Sequence, residues 1–218
     1  MLEKEFKKIN IKHENINIFS KKVSQINNDF ISAAFFDRDG VVIEDCHYIK
    51  NPEDVKLCPG VKKLFREFYA RKIYIIIITN QSGITRNLLS WEEYKAVNNR
   101  MIKLLGEPNP ISAIYGNSYI SDKPSSNWRK PNPSMIFRAA FDLKLNLNKS
   151  ILIGDRLTDI IAGQRAKIPK IYHVLTGHGD SEREEILKLK KQKDNYNSSK
   201  ILLIKNLEEI NYFNIMNF

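Results

Sequence analysis

The pattern that most constrains this chain is a short apolar run that ends in a turn of polar or acidic residues. It occurs at residues 33–36, 73–78 and 150–153, and helix-like stretches separate the three runs. Runs this short, and this rich in β-branched or aromatic residues, are typical of buried strands. Strands that alternate with helices predict a parallel sheet with right-handed crossovers and helices on both faces. We therefore expect a three-layer, Rossmann-like α/β fold.

The predicted elements cover most of the chain. Their order is strand 33–36, turn and flap segment 41–57, helix 61–71, strand 73–78, helix 91–105, strand 113–120, helix 134–143, strand 150–153, helix 160–167, strand 170–175, helix 182–193 and strand 201–204. Neither the insert after the second strand nor the loop before Arg129 is long enough for a separate cap domain. The site should therefore be open, with a minimal cap, at the carboxyl ends of the strands.

One domain is enough for a chain of 218 residues with 42% hydrophobic composition. We assign residues 31–218 to this domain and residues 1–30 to an N-terminal extension. The extension is rich in Asn, Lys and Ile and lacks clean periodicity. It forms either an arm packed on the core or on a partner, or a loosely ordered tail.

Two carboxylates follow the first predicted strand. Asp37 and Asp39 are two positions apart, so in an extended chain both side chains point to one face. Gly40 then releases the chain into a turn. Two carboxylates that converge at a strand end can hold Mg²⁺, or can act as nucleophile and proton carrier. The alternative is an ordinary acidic turn, and the later motifs decide between the two.

Three later clusters carry groups that phosphoryl transfer needs. The segment Thr79-Asn80-Gln81-Ser82-Gly83 offers hydroxyl, amide and backbone donors to an oxyanion. Arg129 and Lys130 are adjacent cations fixed by prolines before helix 134–143. Asp155 and Asp159 place carboxylates at another strand-to-helix turn. Each cluster alone is compatible with a polar turn or a solvated surface, but together and in this order they predict a phosphate site.

Taken in order, these motifs resemble those of the haloacid dehalogenase (HAD) superfamily of phosphohydrolases, and more closely its D,D-heptose bisphosphate and histidinol phosphate phosphatases. The matching segments are Asp37-Arg38-Asp39-Gly40-Val41, Thr79-Asn80-Gln81-Ser82-Gly83-Ile84, Arg129-Lys130-Pro131-x-Pro133-x-Met135 and Gly154-Asp155-x-x-x-Asp159. Residues 45–48 resemble the family's substrate-contacting segment, and Cys58-Pro59-Gly60-Val61 resembles its turn into a helix. The resemblance covers residues 32–177.

The resemblance implies a magnesium-dependent phosphomonoester hydrolase of the HAD fold. In this interpretation Asp37 attacks phosphorus and becomes an aspartyl-phosphate, while Asp39 protonates the leaving alkoxide and then deprotonates the hydrolytic water. The expected Mg²⁺ ligands are Asp155, a carboxylate oxygen of Asp37 and the backbone carbonyl of Asp39. Asp159 is expected to orient the site through hydrogen bonds. The expected substrate-binding residues are Asp45, Tyr48, Thr79, Asn80, Gln81, Ser82, Arg129 and Lys130.

The chain departs from the family pattern in one loop. The family members carry a zinc loop between the second and third motifs, with Cys-x-His-His followed by Cys-x-Cys. The corresponding stretch from Tyr115 to Trp128 contains no Cys and no His, and Cys46 and Cys58 lie far upstream. Four zinc ligands cannot be assembled there from thiolates. We expect a zinc-less branch, and because this loop borders the active site in the family it resembles, its change bears on substrate identity more than on chemistry.

Several substrates remain open at this stage. Residues 45–48 and the pair Arg129-Lys130 favour release of the 7-phosphate of D-glycero-D-manno-heptose 1,7-bisphosphate, and histidinol phosphate is nearly indistinguishable by motif. A polynucleotide 3′-phosphatase would share these motifs, but would need a basic track and stacking residues, for which Trp128 is a candidate. The intact set of motifs argues against a non-catalytic phosphate-binding module.

Composition bears on the charge of the substrate and on the cellular location of the protein. The net charge of +10 suits anionic substrates, although scattered lysines are typical of a solvated surface. No apolar stretch is long enough for a membrane span or a signal peptide, and two cysteines give no disulfide framework. We expect a cytoplasmic enzyme acting on a small phosphorylated metabolite, with nucleic acid as the alternative partner and no membrane. The sequence leaves the oligomeric state open, with a monomer favoured.

Overall fold

The computed structural model describes residues 15–20, 32–122, 127–191 and 199–210. Within these ranges the strands are β1 (Ile16–Ser20), β2 (Ala33–Phe36), β3 (Tyr74–Asn80), β4 (Ile111–Asn117), β5 (Ile151–Gly154), β6 (Lys170–His173) and β7 (Lys200–Leu203). The helices are α1 (Val61–Ala70), α2 (Ser82–Thr85), α3 (Trp91–Leu105), α4 (Ser134–Leu143), α5 (Leu157–Arg165) and α6 (Gly179–Lys191). Every predicted strand and helix is present, and β1 and α2 are additional elements.

The strands form one sheet in the order β1-β4-β3-β2-β5-β6-β7. All neighbouring pairs are parallel except β1 and β4, which are antiparallel. In the centre, Phe36 of β2 lies beside Ile77 of β3 and Ile153 of β5. Because these strands are parallel and in register, their carboxyl ends meet at one edge of the sheet. The turns that follow them, each with one of the sequence motifs, are thereby brought together.

Both faces of the sheet are buried, which explains the unbroken apolar runs. Successive residues of each strand point to opposite faces. Ala34 and Phe36 therefore belong to one core cluster with residues of α1 and α3, and Ala33 and Phe35 belong to a second cluster with residues of α4, α5 and α6. This arrangement confirms the three-layer α/β fold with helices on both faces.

The flap segment after β2 folds back onto the core and forms no separate domain in the described part of the chain. Isolated bridges join Ile43 to Asp39 and to Leu57, and Val41, Val42 and Ile43 are fully buried. The expectation of a minimal cap is confirmed. Among the described helices, none has both the length and the apolar character needed to cross a membrane.

Several boundaries differ from the predicted ones. Strand β1 was not expected, and it lies inside the segment assigned to the N-terminal extension, while the division of the chain at residue 30 stays a prediction. Strand β4 occupies Ile111–Asn117 rather than 113–120. Helix α5 begins at Leu157 rather than 160, because the Asp159 carboxylate accepts a hydrogen bond from the Arg156 backbone and stabilises an earlier first turn. Residues 192 and 193 of the last predicted helix lie outside the described ranges.

Candidate active site

The carboxyl ends of the central strands border a cavity of about 370 Å³, a size that suits a small ligand. All the predicted catalytic and substrate-binding residues line it: Asp37, Asp39, Asp45, Tyr48, Thr79, Asn80, Gln81, Ser82, Arg129 and Lys130. Asp155 lies behind this wall and is fully buried. The structure therefore brings together residues that are up to 118 positions apart in the chain.

Asp37 is at the buried end of the cavity, directly after β2. Its Oδ1 atom accepts a hydrogen bond from the Arg38 backbone at 2.7 Å and lies 2.9 Å from Nζ of Lys130. Burial raises the pKa of Asp37 above its usual value, Lys130 opposes this shift, and Asp159 and Asp39 add to it. The carboxylate is thus held in a defined orientation in a poorly solvated environment, as a nucleophile requires.

Three buried carboxylates form a group behind the cavity. Oxygens of Asp37, Asp155 and Asp159 lie within 4.8 Å of one another. Burial, and then repulsion from Asp37 and Asp159, raises the pKa of Asp155. Its Oδ2 atom accepts a hydrogen bond from the His178 backbone, whereas its buried Oδ1 atom has no hydrogen-bond partner among the described residues. An all-oxygen donor set with an unused buried oxygen fits a hard divalent cation such as Mg²⁺.

The other two aspartates of the motifs make different contacts. Asp159 directs Oδ1 to Lys130 at 2.6 Å and Oδ2 to the Arg156 backbone at 3.0 Å, so both of its oxygens are engaged. This agrees with an orienting role. The side chain of Asp39 is not part of the carboxylate group. The prediction for Asp39 as a metal ligand concerned its backbone carbonyl, and it stays a prediction.

Lys130 supplies the positive charge nearest to these carboxylates. Its side chain is 2% exposed, and Nζ contacts Asp37, Asp159 and the backbone carbonyl of Ile78, the last at 3.0 Å. An ammonium group has three donors, and three oxygens lie within 3.0 Å of this one. Burial by itself would lower the pKa of Lys130, but Asp159 and Asp37 raise it well above the usual value. Lys130 therefore remains charged.

Asp39 is held by donors from three directions. Arg38, which is 1% exposed, contacts both carboxylate oxygens of Asp39 with Nε and one with Nη2 at 3.0 Å. Gln81 donates to Oδ2 at 2.8 Å, and the Thr79 hydroxyl lies 3.4 Å from the same atom. The Arg38 guanidinium in turn donates to Asn98 and lies over the Tyr94 ring. This network orients Asp39 at the wall of the cavity.

Asn117, at the end of β4, connects two of the predicted motifs. It is fully buried, and its side-chain nitrogen donates to Oδ1 of Asn80 at 2.9 Å and to the backbone carbonyl of Trp128 at 3.2 Å. Its own carbonyl accepts from the Gln81 backbone at 2.6 Å. Asn80 and Lys130 also bond to each other through Asn80 side-chain atoms. Asn117 thereby fixes the turn after β3 against the loop that carries Lys130.

Amide side chains hold the loop ahead of Arg129, of which residues 123–126 lie outside the described ranges. Asn127 donates to the Ser121 carbonyl at 2.8 Å and accepts from the Arg129 backbone, and Asn132 donates to the Asp122 carbonyl at 2.7 Å. Trp128 packs beside Tyr115, with ring centroids 6.3 Å apart, and against the core. A stacking role for Trp128 is therefore disfavoured.

Three guanidinium groups surround the outer part of the cavity. Arg86, Arg129 and Arg156 all line it, and burial followed by repulsion from the other two lowers the pKa of Arg129. Arg129 donates to the Tyr119 carbonyl at 2.9 Å, and Arg86 lies 3.4 Å from the Tyr48 hydroxyl. Clustered guanidiniums that repel one another favour an anion among them.

Sequence reasoning did not assign Arg86, Asn117, Arg156 or His178 to the site. Arg156 stands next to Asp155 in the fourth motif, and Arg86 lies two positions after Ile84, the last residue of the second motif, so proximity to a motif was an available signal. For Asn117 and His178 no such signal existed. Their roles depend on which strand ends the sheet places side by side.

Comparisons with known proteins assign the family. Residues 127–199 match the family described as HAD-hydrolase-like. The chain is 36% identical over 166 residues to the D-glycero-alpha-D-manno-heptose-1,7-bisphosphate 7-phosphatase of Photorhabdus laumondii, covering 71% of this chain and 88% of that protein. It is 34% identical over 170 residues to the corresponding enzyme of Campylobacter jejuni, covering 74% of this chain and 97% of that protein.

A solved structure has the same fold. The D,D-heptose 1,7-bisphosphate phosphatase from B. bronchiseptica, complexed with magnesium and phosphate, superposes with a TM-score of 0.69 at 23% identity. The match covers 81% of this chain and 94% of that one. At 23% identity this structure supports the fold only. The family assignment rests on the curated relatives, which are more similar in sequence. The chain belongs to the HAD-like hydrolases, and its curated relatives in this family are named heptose-1,7-bisphosphate 7-phosphatases.

Proposed function

We propose that this protein is a Mg²⁺-dependent phosphomonoester hydrolase that removes the 7-phosphate of D-glycero-D-manno-heptose 1,7-bisphosphate or a closely related sugar phosphate. The observation that carries the proposal is the position of Asp37. Its carboxylate lies at the buried end of a cavity, between the Lys130 ammonium and the group formed with Asp155 and Asp159. A nucleophile, charge neutralisation and an open path for a phosphate ester thus occur at one place.

The reaction assigns one role to each motif. A carboxylate oxygen of Asp37 bonds to phosphorus as the bond from phosphorus to the sugar oxygen breaks, which forms an aspartyl-phosphate. Asp39 gives a proton to the departing sugar oxygen and later removes one from the water that hydrolyses the intermediate. Thr79, Asn80 and the backbone of the following turn donate hydrogen bonds to the phosphoryl oxygens. Lys130 keeps the site positive next to the transferring group.

Asp37 and Asp155 are the side chains that would hold Mg²⁺, with the Asp39 carbonyl as the third protein ligand. When bound, Mg²⁺ neutralises charge on the transferring phosphoryl group. Asp159 keeps Lys130 and the first turn of α5 in place through its two engaged oxygens. The raised pKa values of Asp37 and Asp155 support this assignment, because two buried carboxylates in one place need a cation to stay ionised.

The outer part of the cavity is suited to the remainder of a sugar bisphosphate. The guanidiniums of Arg86, Arg129 and Arg156 would bind the second phosphate, and Asp45 and Tyr48 would bind sugar hydroxyls. A primary phosphate ester extends away from the sugar ring and can reach Asp37, while the ring stays near the rim. The names of the curated relatives support the same substrate.

The test is phosphate release from a panel of substrates with Mg²⁺ present. The purified protein is given heptose 1,7-bisphosphate, histidinol phosphate, a 3′-phosphorylated oligonucleotide and an aryl phosphate, and phosphorus NMR identifies which phosphate of the bisphosphate leaves. We expect the highest kcat/KM for the bisphosphate, with loss of the 7-phosphate. A higher kcat/KM for histidinol phosphate or for the oligonucleotide would contradict the proposed substrate but keep the proposed chemistry.

A further inference from the structure

We propose that His178 is a positioning residue that determines recognition of the sugar end of the substrate by holding Asp45. This rests on the proposed function, since it concerns the same cavity. His178 belongs to the loop between β6 and α6, in the segment Thr176-Gly177-His178 that directly precedes α6. Motif comparison assigned no role to this loop, yet His178 lines the cavity together with Asp45.

The loop is held against the reaction centre through its backbone. The His178 N–H donates to Oδ2 of Asp155 at 2.8 Å, and the Thr176 hydroxyl donates to the Gly40 carbonyl at 2.5 Å. Gly177 has φ of +60°, and a Cβ atom there would overlap Asp155 and Gly40. Glycine is therefore required for this close approach. The backbone of His178 is fixed independently of its side chain.

The side chain of His178 reaches across to the flap segment. Its Nε2 atom lies 3.0 Å from Oδ2 of Asp45, while Oδ1 of Asp45 accepts a hydrogen bond from the His47 backbone at 3.0 Å. The imidazole also stacks on that of His47, with ring centroids 6.0 Å apart and an interplanar angle of 26°. Each Asp45 oxygen thus has one fixed partner, and the orientation of the carboxylate is set from both sides.

This arrangement leaves Asp45 able to bind substrate. A carboxylate oxygen has about two acceptor sites, so one on each oxygen stays available for a sugar hydroxyl. Without the imidazole, Asp45 would keep the contact on Oδ1 alone and could rotate. Because the hydroxyl groups are recognised by a carboxylate held in place, loss of the imidazole should weaken binding of the sugar and leave phosphoryl transfer intact.

His178→Ala removes the imidazole contact to Asp45 but keeps the backbone contact to Asp155, so it tests the side chain alone. We expect KM for the heptose bisphosphate to rise about tenfold, the effect of losing one close polar contact to a carboxylate. The kcat for this substrate, and kcat/KM for an aryl phosphate, should stay near the wild-type values. His178→Gln, which can place a donor close to the position of Nε2, should restore most of the affinity.

A matched control addresses the loop itself. The Ser181 hydroxyl donates to the His178 carbonyl at 2.7 Å, so Ser181→Ala disturbs the same residue without touching its imidazole. We expect wild-type KM and kcat for this variant. If Ser181→Ala raises KM as much as His178→Ala does, loop disturbance explains both effects and the proposal is wrong.

A double-mutant cycle tests whether His178 acts through Asp45. In the Asp45→Ala background, His178→Ala should cause no further rise in KM. Additive effects would mean that His178 contacts the substrate directly, and an equal loss with the aryl phosphate would mean that it serves the reaction centre. Either result overturns the proposal.

The wild type, the two single variants and the double variant of this cycle also separate a failure of the His178 proposal from a failure of the proposed substrate. If the wild type hydrolyses the aryl phosphate but not the heptose bisphosphate, the substrate assignment fails. The cycle is then read from urea unfolding midpoints, where the pairing predicts non-additive shifts for positions 45 and 178. Additive midpoint shifts would contradict the pairing whatever the substrate is.

Discussion

The charge balance of the site depends on Lys130 more than on any other single side chain described. It contacts Asp37 and Asp159, two of the three buried carboxylates that could hold a metal ion, and is itself almost completely buried. Removing one partner of a buried ion pair leaves an uncompensated charge, which is far more costly than removing both partners. A bound divalent cation would share this compensation with Lys130.

We predict that Lys130→Met destabilises the metal-free protein by about 3–5 kcal/mol, because Asp37 and Asp159 lose their cation. Mg²⁺ should recover part of this stability, and should raise Tm more in the variant than in the wild type. Thermal unfolding with and without Mg²⁺ measures both. Lys149→Met, at an exposed position, is the control and should change Tm little. A Mg²⁺ effect no larger in Lys130→Met than in the wild type would contradict this charge balance.

Asp37→Asn, unlike Lys130→Met, should leave the metal-free protein stable, and it should remove the activity. Turnover should fall by at least about a thousandfold, because an amide cannot replace the carboxylate as nucleophile. Stability of the metal-free protein should stay the same or rise, because burial and the neighbouring carboxylates raise the pKa of Asp37, and Lys130 keeps Asp159 as its partner. Steady-state kinetics and urea unfolding of the same preparation check the two parts. A strongly destabilised variant would mean that Asp37 is needed for folding.

At the scale of elements, the positions of the motifs follow from three central strands, and the sequence predicts these well. Apolar runs buried on both faces are recognisable in any chain, as in β2, β3 and β5. The edge strand β1 was missed because Ile16-Asn17-Ile18-Phe19-Ser20 mixes polar and apolar residues and lies in a stretch rich in Asn, Lys and Ile without clean periodicity. Asn117 was missed for a different reason. Its partners lie in β3 and in the loop before α4, and only the strand order brings them together.

Strand β1 connects to the site through the residue that precedes it. The side-chain oxygen of Asn15 accepts from the hydroxyls of Ser118 at 2.8 Å and Thr85 at 3.2 Å, and its backbone carbonyl accepts from the Ser118 N–H. Thr85 is the last residue of α2, the short helix that begins at Ser82. The N-terminal segment therefore braces the second motif from outside the cavity.

We predict that Asn15→Ala destabilises the protein by about 1 kcal/mol, the usual effect of losing a side-chain hydrogen bond. It should also raise KM modestly, because α2 and Arg86 become less well placed. Asn17→Ala is the matched control, since Asn17 has the same residue type in β1 and pairs with Gly116 through its backbone. Urea unfolding and steady-state kinetics compare the two variants. Equal effects would mean that strand pairing, rather than the Asn15 side chain, supports the site.

At the scale of the whole molecule, metal binding and stability should be linked to pH. Burial and mutual repulsion raise the pKa values of Asp37 and Asp155 in the folded, metal-free protein. A folded-state pKa above the unfolded value contributes stability that is present at low pH and is lost as pH rises through the raised pKa. Mg²⁺ needs the deprotonated carboxylates, so its binding releases protons and becomes tighter as pH rises.

We therefore predict that a fixed Mg²⁺ concentration raises Tm more at about pH 8 than at about pH 6. Differential scanning fluorimetry in matched buffers measures the two shifts, and Asp155→Asn should remove most of the difference. Calorimetry in two buffers of different ionisation enthalpy can count the protons released. A Tm shift that is independent of pH would mean that the cation binds carboxylates that are already ionised.

The most direct test of the central claim is to identify the phosphorylated residue. Asp39→Asn should slow the first transfer, because no acid protonates the departing sugar oxygen. It should also stall hydrolysis of the intermediate, because no group remains to deprotonate the water. Rapid acid quenching of this variant with heptose bisphosphate and Mg²⁺, followed by peptide mass spectrometry, should find one phosphoryl group on Asp37 that hydroxylamine removes. No phosphoryl group on Asp37, together with substantial turnover by Asp37→Asn, would contradict the account.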